Sequence, residues 1–90
     1  MMQRSDAETM ALGVLAWAAS DGQALNDFLG FSGLDLEELR ARAAEPELLA
    51  AFMDFILGNE EYAAAASADQ NLDAETLRAI RRALPGSALD

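Results

Sequence analysis

The run Asp69-x-Asn71-x-Asp73-x-Glu75 sets oxygen-bearing side chains at alternate positions, as in the opening of a loop that wraps a hard cation. A calcium loop of this type continues with Gly at its sixth position and a bidentate Glu at its twelfth. Here those positions hold Ala74 and Ile80, and Asp73 stands where a helix N-cap is needed. No metal and no cofactor is therefore expected.

The other reactive groups are as poorly supported. Ser32 has neither a Gly-x-Ser-x-Gly setting nor a histidine to activate it, and no phosphate loop or dinucleotide fingerprint occurs. Asp54 is the only charge between Leu48 and Leu57. An unpaired buried carboxylate is costly, so Asp54 belongs on the rim, beside an arginine, or under the indole N–H of Trp17. Arg78, Arg81 and Arg82 form the basic cluster; they could hold an anion, but the same placement complements the negative end of a helix. With no His and no Cys, the commonest general base, metal ligand and thiol nucleophile are all missing. The expected protein is not an enzyme.

Ninety residues, 52% of them hydrophobic, make one domain with a modest core. The net charge of −10 opposes phosphate backbones and anionic lipid, and favours a basic partner. Cysteine-free composition fits the cytoplasm. The apolar run Met10–Ala19 could pass for a secretory leader, but Asp6 and Glu8 stand where such a leader is positive. Neither it nor Leu48–Leu57 approaches the ~20 apolar residues that cross a bilayer, so no membrane partner is expected.

The elements that must carry these groups are helices. Ala, Leu, Glu and Arg dominate, and no stretch alternates apolar and polar as a strand would. The first helix should run from about Asp6 to Ala19, opened by a Ser5/Glu8 capping box, with little polar face. A short second helix carries Leu25, Phe28 and Leu29 and stops at Gly30, leaving Phe31-Ser32-Gly33 as a turn. Asp35 with Glu38 caps the third, stapled by Leu34 and Leu39. Pro46 suits the first turn of a fourth, Glu47 to Leu57. Asn59 caps a fifth, rich in alanine, which Asp69-Gln70-Asn71 breaks; Asp73 caps a sixth that ends before Pro85-Gly86.

Leu34–Ala41 returns at Leu72–Ala79, 38 residues on and identical at six of eight positions. Extended outward, the match sets Trp17 over Phe55 and Asp21 over Asn59, giving two pseudo-repeated halves, 16–46 and 54–84. Duplication and convergent capping predict the same local structure. The aromatic turn Gly30-Phe31-Ser32-Gly33 precedes only the first copy. Phe31 either tucks back on the second helix or projects to a partner.

The segment Phe28-Leu29-Gly30-Phe31-Ser32-Gly33-Leu34, followed by Leu39-Arg40-Ala41-Arg42-Ala43, resembles a family of small bacterial proteins catalogued as domain of unknown function 3572. Phe52–Leu57 continued by Gly58-Asn59-Glu60 is similar to it too, and the resemblance spans roughly Ala7 to Leu84. It implies a cytoplasmic helical protein and brings no catalytic residues with it.

The expected protein is all-α: one compact domain over residues 1–90, a bundle of five to six short helices with the first and fourth at its centre and frayed ends at 1–5 and 86–90. The expected function is a non-enzymatic protein–protein interaction module. Its partner is an unidentified protein or a second copy, and Phe28, Phe31, Ser32, Arg40 and Arg42 are the candidate contact residues. The alternative is a helix-turn-helix-like regulator built on Ala24–Ala44. It is disfavoured because five acidic residues between Asp35 and Glu47 face only Arg40 and Arg42, which opposes nucleic acid.

Overall fold

Pro46, Asn59, Asp73 and the Asp35–Glu38 pair all open helices, as their chemistry requires. In the computed structural model, which describes residues 2–89, the elements are α1 (Arg4–Asp21), α2 (Gln23–Ser32), α3 (Leu36–Arg42), α4 (Pro46–Leu57), α5 (Glu60–Gln70) and α6 (Ala74–Arg82). The described residues hold no strand, so the domain is all-α.

The 38-residue register recurs in several helix caps. Asp21 Oδ2 accepts from Ala24 N at 3.1 Å, and Asn59 Oδ1 accepts from Tyr62 N at 3.0 Å. Gly33 (φ 76°) ends α2 in the left-handed region with its N–H on Leu29 O; Asn71 (φ 55°) ends α5 likewise, on Ser67 O. Glycine and asparagine are the residues that enter this region at least cost. Asp35 then accepts from Glu38 N at 2.8 Å and Asp73 from Thr76 N at 2.7 Å. Buried positions correspond as well: Val14 with Phe52, Ala18 with Ile56, Phe28 with Ala66, and Leu39 with Leu77. The caps and several buried positions of the two halves therefore fall at matching places in the 38-residue register.

α4 is buried on most sides through Leu48, Leu49, Ala50, Ala51, Phe52, Met53 and Ile56. α1 reaches the core by a narrower stripe of Ala7, Ala11, Val14 and Ala18, all fully buried and small enough to bring neighbouring backbones close. α1 and α4 pack on each other, and each also packs on α2, α5 and α6, so they are the central pair. The halves differ at their third helix. α6 rests on α4, α5 and α1, whereas α3 makes only slight contact with any other helix.

Several sequence expectations need correction. α1 begins at Arg4, with Gln3 as N-cap and no side-chain cap. The Ser5/Glu8 box does not form because Glu8 pairs with Arg4 at 3.1 Å and Ser5 O accepts from Thr9 Oγ1. α2 runs through Gly30 to Ser32, so Phe31 and Ser32 belong to its last turn. α5 likewise absorbs Asp69 and Gln70. Both termini make contacts as far as they are described. Met2 packs against the core, Leu84 is buried, and Ala88 N donates to Glu47 O at 3.1 Å. Met1 and Asp90 lie outside the described residues.

Candidate functional site

The five candidate contact residues separate into four roles. Phe28 is fully buried and belongs to the core. Ser32 serves the turn: its hydroxyl donates to Leu29 O at 3.3 Å and accepts from Leu34 N at 3.2 Å. Arg42 is held by Glu45 at 3.1 Å. Phe31 and Arg40 stand exposed, on two different surface features.

The first feature is an aromatic strip. Phe52 and Phe28 meet edge-to-face in the core, with ring centroids 5.2 Å apart. From Phe28 the contacts pass outward to Phe55 (5.4 Å) and Phe31 (6.3 Å), and Phe31 leans on Phe55 at 5.3 Å. Phe55 continues to Tyr62 at 5.9 Å, and Tyr62 to Trp17 at 6.2 Å. Offset and edge contacts of this kind fix the rings relative to one another. Phe31 is 59% exposed, and Phe55, Tyr62 and Trp17 are half-buried. A continuous aromatic path thus leads from the core to the surface.

Acids flank the strip. The Tyr62 hydroxyl donates to Asp27 Oδ2, joining α5 to α2. That bond, followed by partial burial and the negative charges of Asp27, Asp21 and Glu61, pushes the phenol up from 10.0 to about 12. The raised value means that folding favours the neutral phenol. Its stabilising contribution is complete below the ordinary value of 10.0 and is lost as pH climbs through about 12. Phenolate absorbance, read from the only tyrosine in the chain, should therefore titrate near 12. Asp27→Asn should move the midpoint down toward 10.0; an unchanged midpoint would refute the assignment.

The second feature is an open groove of about 480 Å³ between α1, α2 and α3, where α3 stands off its neighbours. Leu12, Leu15, Leu25, Leu36 and Leu39 line it, and Arg40 lies at its wall. Leu39 is its buried floor, while Leu12 and Leu36 on the rim are 39% and 40% exposed.

Several charges elsewhere have structural partners. Arg81 donates to Asp54 at 2.6 Å and to Pro85 O at 3.0 Å, so Asp54 is paired on the rim and not bonded to Trp17. Arg78 and Arg82 share Glu75 at 3.1 and 2.7 Å, which holds that carboxyl below its usual range. The alternating oxygens of the calcium-like run are divided among an α5 terminus, a C-cap, an N-cap and a first turn. The Thr76 side-chain and backbone hydrogen bonds hold the Asp73 carboxyl down as well.

Sequence reading missed Tyr62 and Asp27, which lie 35 positions apart and carry no motif that pairs them. It also missed Leu12 and Leu36. Both look like core leucines, since their exposure follows from the placement of α3 and not from local pattern.

No helix among the described residues is long and apolar enough to cross a membrane. No curated protein and no solved structure matches the chain. Residues 4–87, nearly the whole sequence, match a family described as a protein of unknown function. The chain accordingly belongs to the DUF3572 family, as its glycine turn and capped helices suggested.

Proposed function

We propose that the protein is a small acidic, non-enzymatic interaction module that docks a basic segment of a partner protein on the aromatic strip. The observation that carries this reading is Phe31, a large ring left 59% exposed on a rigid platform of Phe28 and Phe55. Aromatic residues anchored in this way make strong interface contacts, and their faces attract Arg and Lys side chains. Asp27 on the flank and the net charge of −10 select for positive charge in the partner. The same charge opposes a second copy of this chain as the occupant. The cysteine-free composition supports a cytoplasmic setting.

The helix-turn-helix reading draws less support. α3 is seven residues long, and Asp35, Glu37 and Glu38 are exposed at its start. Arg42 is already occupied by Glu45.

The test is affinity capture from the native host on wild-type and Phe31→Ala protein, followed by Kd measurement for the recovered partner. A hot-spot aromatic contributes about 2 kcal/mol or more, so Phe31→Ala should weaken binding roughly thirtyfold while leaving the fold intact. Added salt should weaken the wild-type complex further. Light scattering should report a monomer, because like-charged copies repel. Capture that is indifferent to both Phe31→Ala and salt would overturn the proposal.

A further inference from the structure

The geometry points to the groove between α1, α2 and α3 as a binding site for a short aliphatic carboxylate, its chain on the leucines and its carboxylate on Arg40. This site is separate from the aromatic strip and does not depend on it.

The two halves of the fold supply an internal control. Arg40 corresponds to Arg78, and Glu37 to Glu75, in the 38-residue register. Arg78 is engaged by Glu75 at 3.1 Å. Arg40 has a carboxylate at the same helical spacing, yet among the described residues it is the one arginine of six without an ion pair. It lies along the groove instead. Arg40 is thus the one guanidinium on the apolar groove and is free to pair with a single carboxylate, a local attraction set against the overall charge of −10.

The apolar wall shows the same contrast. Leu12 and Leu15 correspond to Ala50 and Met53, both fully buried on α4, which packs on α1, α5 and α6. In the first half α3 stands away, and Leu12 and Leu36 remain on an open rim.

The lining defines the ligand class. It contains leucine and alanine with a single charged group, and offers no array of donors and acceptors to orient a sugar or a nucleotide. It holds no aromatic ring to stack a planar ligand. A volume of about 480 Å³ falls in the range of small-molecule sites, ~300–1,000 Å³. From Leu12 to Ala19 the α1 wall is about 10 Å long, from the rise of ~1.5 Å per residue. A flexible alkyl chain with one anionic end satisfies all of these features.

The experiment titrates the intact protein with octanoate, 1-octanol and acetate, following leucine methyl signals by NMR. Octanoate is expected to shift the methyls of Leu12, Leu15, Leu25 and Leu36 saturably. 1-Octanol, with the same chain and no charge, should bind roughly tenfold or more weakly, because a charge-assisted hydrogen bond is lost. Acetate should not bind measurably. Arg40→Gln should reduce octanoate to the affinity of 1-octanol and leave 1-octanol unchanged. Leu36→Asp, at an exposed first-turn position, should abolish both. Phe31→Ala should alter none of them, which separates this site from the aromatic strip. Equal octanoate binding by wild type and Arg40→Gln would overturn the proposal. So would shifts confined to residues outside the groove. If octanoate is inert while an acidic amphipathic peptide shifts the same leucines, the groove serves a protein partner and the proposal fails.

Discussion

Phe28→Ala is expected to destabilise the domain by about 3–5 kcal/mol, the cost of deleting a buried aromatic ring that the surroundings cannot replace. Phe28 is fully buried and touches Phe31, Phe52 and Phe55, so its removal opens a cavity at the junction of α2 and α4. A loss of this size is a large share of the ~5–15 kcal/mol available to a domain. It should appear in denaturant melts as a lower midpoint, and in thermal melts as a Tm drop of more than about 10 °C. Phe31→Ala, three residues on but exposed, should cost about 1 kcal/mol or less. Similar losses for the two variants would show that Phe31 supports the core and is not a free contact surface.

Ala11→Leu should destabilise by about 1–3 kcal/mol, from overpacking. Ala11 is fully buried on the stripe by which α1 meets the core, and it has no exposed edge toward which a larger side chain could turn. The neighbouring helices must separate, or the leucine must take a strained rotamer. The conservative reverse case is Leu12→Ala, one residue along on the open groove, which should change stability by less than about 1 kcal/mol. A denaturation midpoint for Ala11→Leu equal to that of wild type would mean that α1 is less tightly seated than its burial indicates.

Features that depend on a few neighbouring residues were legible in the sequence. Asp35 with Glu38, Pro46, Asn59 and Asp73 each solve a local problem, the orphan N–H groups of a helix start, so their roles could be read in place. The density of apolar residues from Leu48 to Ile56 likewise announced a buried helix. Choices between two adequate local solutions were not legible. Gly30 and Gly33 can each end α2; the structure uses Gly33, which keeps Phe31 on the helix and against Phe55. Glu8 can complete a capping box or pair with Arg4, and the pairing prevails. Long-range partners were also invisible. Asp54 admitted three readings because Arg81 lies 27 positions away. Both halves of the candidate chemistry fall in this class. The Asp27–Tyr62 bond and the groove beside Arg40 arise from how elements are set against each other.

The repeated cap positions bear on how the molecule loses its order. The repeated start and stop signals are satisfied locally: Asp21, Gly33 and Asp35 in the first half, Asn59, Asn71 and Asp73 in the second. Burial, in contrast, is shared across the seam between α1 and α4. Local helix persistence and global stability are thus stored in different parts of the molecule. α3, the helix with the slightest attachment, is expected to open before the rest of the domain. Its amide protons should then exchange first, with Leu39 as the point that holds it to the core.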